Sequence, residues 1–308
     1  MGRKIRKLSS HGRETYAVYY GDDYVLKRPL PNASEEECKK WLEKQHRTQK
    51  MIQAIRAVDN PVYNIPSMIH INDQEYQILE ERAHGEPLTS ELFRSLTRRQ
   101  QYEIINSIGS FLVDMNELKP VSEPLLHHLS EELKFERLDK FINEKMSVFF
   151  DKNEIRQIKR IRNKISSFEY TTIMAWSHSD VNSGNVLYDP TTSRLSFIDF
   201  AEANYNFIYR DIFSPLQVEL GIYKPVYETY VKLHNKSLYP MPGIKNENLR
   251  KIMENRIIVV YMKRIIKASD DLRLNPKNER SIRNNAIKVA FIRSQITAIQ
   301  NIERQFSK

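Results

Sequence analysis

The chain has 308 residues, 40% of them hydrophobic and 28% charged, the make-up of a globular protein large enough for one big core or two lobes. No run is long and apolar enough to span a bilayer, and the basic stretch Met1-Gly2-Arg3-Lys4-Ile5-Arg6-Lys7 has neither an apolar signal core after it nor the Ser or Thr that a myristoylation motif needs where Arg6 stands. A net charge of +9 fits an anionic surface or nucleic acid but suits a nucleotide site equally well, and the single Cys38 rules out an internal disulfide and fits a reducing, cytoplasmic setting.

In chain order, Tyr16-Ala17-Val18-Tyr19-Tyr20 and Tyr24-Val25-Leu26-Lys27 are β-rich runs joined by Gly21-Asp22-Asp23, a hairpin with a turn cluster between its strands. Ser9-Ser10-His11-Gly12-Arg13 precedes it as a loop with one glycine, and Lys27 closes its second strand. Ser34 followed by Glu37 is a capping box for a helix running to about residue 58. Its apolar residues Met51, Ile52 and Ile55 lie on one stripe. Residues 65–71 and 76–79 read as two further strands. Beyond Ala83 the pattern turns helical. Residues 98–118 carry Ile104, Ile105, Ile108, Phe111, Leu112 and Met115 at helical spacing, a core stripe. Helical regions are expected at 130–150 and 153–168, the first holding the acidic cluster Glu131, Glu132, Glu136 and Asp139, which reads as a solvated face. Two long helices are expected at 246–271 and 278–306. In the second, Ile282, Ile287, Val289, Phe291, Ile292, Ile296 and Ile299 read as a buried stripe under a Lys- and Arg-rich face.

The chemistry is concentrated between Trp176 and Asp211. Asp180 and Asn185 stand five residues apart around Gly184, where a loop can fold back on itself. Val186-Leu187-Tyr188 reads as a strand, 189–193 as its turn, and Leu195-Ser196-Phe197-Ile198 as the partner that delivers Asp199 to the same end as Asn185. Singly, Asp180 and Asn185 are ordinary loop residues of the kind that make Asx turns. Together with Asp199 they supply two carboxylates and an amide, a hard-oxygen set of the kind magnesium takes alongside phosphate and water. His178 and Asp211 read as residues that hold the loop.

The pattern His178-x-Asp180-x-x-x-x-Asn185 followed by Ile198-Asp199 resembles the aminoglycoside phosphotransferase and choline/ethanolamine kinase superfamily. That resemblance implies an α+β, bilobal protein-kinase-like fold, with an N-terminal nucleotide-binding lobe over residues 1–83 and a larger, mainly helical catalytic and acceptor-binding lobe over 84–308. It implies ATP and Mg2+ as cofactors, with Asp180 the catalytic base, Asn185 and Asp199 the metal ligands, and Lys27 on the nucleotide phosphates. The loop at 9–13 would cover those phosphates. Glu80 and Arg82 fall on the hinge that binds the adenine through backbone groups, and their side chains are free to face solvent. His84-Gly85-Glu86-Pro87-Leu88 repeats the hinge's Gly-x-x-Leu.

Two departures stand out. The helical position that usually provides the lysine's glutamate is Thr48, which leaves the partner of Lys27 unassigned. Glu202 sits where aminoglycoside kinases often carry an acidic residue, whereas the choline-kinase position holds Ala201. Ala203-Asn204-Tyr205-Asn206 through Asp211 resembles instead the choline and ethanolamine kinases. The expected partner is a small-molecule hydroxyl acceptor bearing amines, with Glu202 facing it and nucleic acid not expected. A protein kinase is disfavoured by Ala201 in place of the glycine of Asp-Phe-Gly and by the short span to Asp211. A non-catalytic basic scaffold is disfavoured by retention of Lys27, Asp180, Asn185 and Asp199 together.

Overall fold

A computed structural model describes residues 6–7, 15–20, 23–120, 122–234, 243, 245–276 and 278–307; the loop expected at 9–13 lies outside the described residues. The elements run β1 (Arg6–Lys7), β2 (Thr15–Tyr20), β3 (Tyr24–Pro29), α1 (Glu35–Arg56), β4 (Tyr63–Asn64), β5 (Met68–Asn72), β6 (Gln77–Glu81) and β7 (Glu86–Pro87). There follow α2 (Ser90–Ser95), α3 (Arg98–Glu117), β8 (Leu125–His128), α4 (Phe135–Glu144), α5 (Met146–Phe149), α6 (Lys152–Ser166), β9 (Glu169–Thr172) and β10 (Met174–Ser177). The chain ends with β11 (Val186–Asp189), β12 (Arg194–Phe197), β13 (Asn204–Phe207), α7 (Tyr209–Ile212), α8 (Pro215–Leu220), α9 (Tyr223–Leu233), α10 (Glu247–Asp270) and α11 (Glu279–Phe306). It divides into two compact units, one of Met1–Val121 with Met174–Leu238, the other of Ser122–Ile173 with Tyr239–Lys308.

The first unit is built on a five-stranded sheet in the order β1-β2-β3-β6-β5, antiparallel throughout. Behind it runs α1, whose start is fixed by Ser34: its hydroxyl accepts from the Glu37 amide, and the Glu37 carboxylate accepts from the Ser34 amide at 2.7 Å. This satisfies donors that a helix start otherwise leaves open. The helix buries Trp41, Gln45, Thr48, Met51, Ile52 and Ile55, one face at three- and four-residue spacing. A second sheet, in the order β4-β12-β11-β7, carries the β11–β12 hairpin. Its floor is aromatic: Phe111 of α3 stacks on Phe197 of β12 with centroids 3.7 Å apart, and Tyr63, His178 and Phe200 meet Phe111 edge-on. These side chains are all buried, so the hairpin rests on a packed core.

Gly85 is the joint where the chain leaves the five-stranded sheet for the hairpin. Its φ is +110°, and a Cβ there would drive into the carbonyl of Tyr188. From it β7 pairs with β11, the Leu88 amide donates to the Val186 carbonyl at 2.9 Å, and Leu88 is fully buried. The Gly-x-x-Leu spacing is thus a backbone approach followed by a core anchor.

In the second unit α10 and α11 pack along one another, with a core that includes Ile158, Ile161 and Ile165 of α6, Ile257 and Ile258 of α10, and Ile292, Ile296 and Ile299 of α11. Two expectations change here. The stripe on α11 is not buried throughout, since Ile282, Ile287 and Phe291 are 56%, 57% and 41% exposed. The buried arc runs instead through Ser281, Asn285, Ile292, Gln295, Ile296 and Ile299; in the first half of the helix the covered face is polar, with the Asn285 amide bonded to the backbone of Arg273, a face that an apolar pattern does not mark. The acidic cluster is not simply a solvated face. Glu132 is buried against the Arg256 guanidinium, which burial pushes down to about 9, and Asp139 pairs with Arg162 at 2.9 Å.

Replacing Gly85 with Ala should therefore cost stability on the order of 1–3 kcal/mol, the usual range for a residue forced into a sparsely populated backbone region. Urea denaturation of Gly85→Ala beside the parent measures it, and an unchanged midpoint contradicts the close-approach role.

Candidate active site

The loop from His178 to Asn185 hangs from a single buried carboxylate. Asp211 of α7 is 2% exposed and accepts from the amide of His178 at 2.7 Å and from that of Ser179 at 3.0 Å. Hydrogen bonds from backbone amides to an ionised carboxylate are the strong kind, so this one group fixes the loop's entry. His178, fully buried, has Nε2 2.9 Å from the Ile198 carbonyl and Nδ1 as acceptor of the Asp180 amide at 3.4 Å. Both contacts are met by the tautomer with its proton on Nε2. The imidazole thus clips the loop to the end of the hairpin, the holding role read from the sequence.

The loop then folds on itself. Asn185 Nδ2 donates to the Asp180 carboxylate at 2.9 Å and to the Asp180 carbonyl at 3.0 Å. Asn182 and Gly184 close the turn through the Asn182 side chain. The Ile198 amide donates to the Asn185 carbonyl at 3.0 Å, so the residue before Asp199 is tied directly to Asn185. Asp199 itself has φ 60° and ψ 64°, and Ser179, beside Asp180, has φ 66°. Two non-glycine residues in the left-handed region next to the two carboxylates are strain concentrated at one place.

The carboxylates feel one another. Burial raises the Asp180 carboxyl above the ordinary aspartate range, and the charge of Asp199 pushes it the same way, against hydrogen bonds from Asn182 and Asn185 and the nearby His178. A cavity of about 200 Å³ opens beside Asp199, lined among others by Val25, Lys27, Glu80, Ala83, Leu187 and Phe200. Lys27 Nζ lies 2.6 Å from Glu80 Oε2, the two side chains 22% and 15% exposed. Burial alone would lower the lysine's pKa; the charges of Glu80 and Asp199 outweigh it, and the net shift is upward.

Lys27, Glu80, Asp180, Asn185 and Asp199 are therefore brought together. The Glu80 side chain, free on the sequence to face solvent, is turned inward, because Val25 pairs with Glu80 across β3–β6 and Lys27, two residues on, shares that face. Arg82 lines the same cavity, and its amide donates to the Asp23 carbonyl at 2.7 Å. Glu202 is set apart from them: its carboxylate lies 2.7 Å from Lys44 Nζ of α1, beside a second cavity lined by Trp176, Asn204 and Tyr205. That pair, like Lys27–Glu80, joins residues far apart in the chain, and no local sequence signal announces it. The excess positive charge also lies elsewhere. Residues 122–173 and 239–308 hold 25 Lys and Arg against 15 Asp and Glu, a net +10, which leaves −1 for the unit that carries the site.

A two-carboxylate, one-amide, one-lysine cluster of this kind has the charges and hard oxygens that phosphoryl transfer asks of a protein. The family model described as "Phosphotransferase enzyme family" matches residues 4–222, and the chain belongs to that family. That membership makes it a phosphotransferase. Its protein-kinase-like α+β fold is shared with solved structures of low sequence identity. Aminoglycoside phosphotransferase APH(2")-IIa in complex with gentamicin is 16% identical, with 94% of this chain and 90% of that one covered at a TM-score of 0.56. The GDP complex of wild-type aminoglycoside 2'-phosphotransferase-IIIa is 11% identical, with 96% and 93% covered at 0.60. A choline/ethanolamine kinase family protein from Mesorhizobium loti is 12% identical, with 96% and 92% covered at 0.53. Among curated proteins, a probable ethanolamine kinase A from Dictyostelium discoideum is 53% identical over 34 residues, which span 11% of this chain and only 10% of that protein.

Removing the loop anchor tests the geometry. Asp211→Ala leaves the His178 and Ser179 amides without their acceptor, and unmet buried donors cost about 1–3 kcal/mol each. A fall in stability of about 3 kcal/mol is expected by chemical denaturation, with phosphotransfer lost even where the variant is folded; near-parental stability would show that the loop does not hang from Asp211.

Proposed function

We propose that this chain transfers the γ-phosphate of ATP to a hydroxyl group of an amine-bearing small molecule, of the aminoglycoside or amino-alcohol type. The observation that carries this reading is that Lys27 and Asp199 line one cavity while Asp180 and Asn185, joined by a 2.9 Å hydrogen bond, stand beside Asp199, whose charge acts on both Asp180 and Lys27. Phosphoryl transfer asks a protein for positioning and charge neutralisation more than for covalent chemistry, and each of these residues has such a task.

Asp180 is the base. The Asn185 amide orients its carboxyl group, and burial raises its pKa, which makes it a stronger base, so one oxygen can take the acceptor's hydroxyl proton as that oxygen turns toward phosphorus. Lys27 places its ammonium on the α- and β-phosphates. Ala83, next to Arg82 at the cavity's edge, is where the adenine meets backbone, with Glu80 and Arg82 flanking it. In this division of labour residues 1–83 bind nucleotide and residues 84–308 supply catalysis and the acceptor pocket.

The donor set suits magnesium. Asn185 spends its amide NH2 on Asp180, which leaves its carbonyl oxygen as a hard ligand, and Asp199 adds a carboxylate. Two protein oxygens, with phosphate and water for the rest, are what that ion takes. Magnesium bound there would supply neutralisation of the phosphate oxygens, and it would also relieve the repulsion between Asp199 and Asp180.

The amine on the acceptor is supported by the gentamicin of the APH(2")-IIa complex and the choline or ethanolamine in the names of other relatives. Glu202 is the residue proposed to meet it. Its carboxylate is 60% exposed and already paired with Lys44, so an acceptor ammonium has to compete with the chain's own cation.

Three variants separate these roles. Asp180→Asn keeps shape and removes basicity; transfer should fall a hundred-fold or more with ATP affinity nearly unchanged. Asp199→Ala should abolish the magnesium dependence of ATP binding, read by calorimetry. Glu202→Gln should raise the acceptor KM more than the ATP KM, on an acceptor found by screening amino alcohols, aminoglycosides and sugars for ATP consumption. Normal turnover by Asp180→Asn overturns the base assignment; a neutral or anionic acceptor overturns the amine.

A further inference from the structure

Resting on the nucleotide-site reading above, we infer that Glu80 of strand β6 is the positioning residue for Lys27, so that the sheet itself, and not the helix behind it, holds the phosphate-binding lysine. The register makes the pair: β3 and β6 are neighbours, Val25 stands opposite Glu80, and Lys27 lies two residues further on the same face. The resulting contact is 2.6 Å long and mostly out of solvent.

Helix α1 has no substitute to offer among the described residues. The α1 residues that line the Lys27 cavity are Gln45, Thr48 and Ile52, all neutral, and the Thr48 hydroxyl donates to the Lys44 carbonyl of its own helix at 2.9 Å. The carboxylates of α1 lie elsewhere. Glu35 and Glu36 pair with Lys39 and Lys40, Glu37 closes the cap, and Glu43 is exposed. A partly buried ammonium needs an anion. The two that act on Lys27 are Glu80 and Asp199, and Asp199 is the group proposed for the metal. Glu80 is left to hold the lysine whether or not nucleotide is bound.

A consequence follows for α1. A lysine held from a helix depends on where that helix sits; a lysine held from the adjacent strand is set when the sheet forms. Helix α1 is tied to the sheet by Arg56, which donates to the Glu81 carboxylate at 3.2 Å, and to the turn after Asp199 by Lys44–Glu202. The phosphate-binding lysine is therefore placed by its own sheet, and α1 reaches the Asp199 end of the site through Lys44.

Glu80→Gln removes the charge and keeps the shape. Calorimetry with ATP and magnesium should show affinity about ten-fold weaker or worse. A lysine-directed acylating reagent should label Lys27 faster near pH 8, because desolvation now acts with only Asp199 against it and more of the amine is neutral. Glu80→Asp, which keeps the charge on a shorter arm, should fall between, and it replaces the Gln variant if that one does not fold. Thr48→Glu in the Glu80→Gln background should recover part of the affinity by returning a carboxylate from the helix side. Unchanged ATP affinity and labelling rate in Glu80→Gln overturn the inference, and no gain in the double variant overturns the exchange of sheet for helix. Lys27→Met tells the two levels apart: if it binds ATP normally the nucleotide-site reading fails, whereas loss of binding there with none in Glu80→Gln removes the Glu80 role alone.

Discussion

Two carboxylates that repel one another must be kept side by side, and the first unit is arranged around that constraint. Asp180 and Asp199 are close enough that the charge of the second raises the pKa of the first, in surroundings that already disfavour ionisation. Left to local preference, the chain would separate them. What prevents it is covalent and hydrogen-bonded geometry: a hairpin whose two ends meet, the Ile198 amide on the Asn185 carbonyl, and the Asn185 side chain on Asp180. The repulsion is thereby stored as a demand for a cation, which Lys27 meets in part.

The supports for this arrangement are mostly backbone groups held by side chains. Asp211 takes two loop amides, His178 takes a carbonyl, and Gly85 lets the chain pass against Tyr188 where no other residue fits. Beneath them the stacked pair Phe111–Phe197 gives the hairpin a floor that does not yield, since close-packed interiors transmit strain and do not absorb it. Left-handed Ser179 and Asp199 are tolerable because the surroundings over-determine them.

Ion pairs divide the remaining work between sheet and helix. Lys27–Glu80 lies within the sheet, and Lys44–Glu202 runs from α1 to the turn beyond Asp199. The second pair is exposed on the Glu202 side, so its contribution to stability is small; its interest lies in what it connects. The basic character of the chain belongs to the other unit, so nucleotide attraction cannot be credited to overall charge. Positive charge beside the cavity is supplied locally, by Lys27.

Much of the site was legible in the sequence because its chemistry is carried by short spacings. Asp180, Gly184, Asn185 and the Ile198-Asp199 strand end are close in the chain, and a hairpin brings them together by local geometry alone. The helix starts at Ser34 and residue 97 are likewise local, fixed by capping residues within one turn. What the sequence could not determine is whatever depends on register or on which face meets a neighbour. Glu80 could be placed on the hinge with its side chain left open, and only its pairing opposite Val25 turns it toward Lys27. Ile282, Ile287 and Phe291 were expected inside, because apolar periodicity marks a stripe but cannot announce that Ser281 and Asn285 form the covered face there. Glu202 looked free until α1 delivered Lys44, 158 residues earlier in the chain. Local spacing fixes which groups can react; long-range packing, which no short pattern encodes, decided which charges are left to do so.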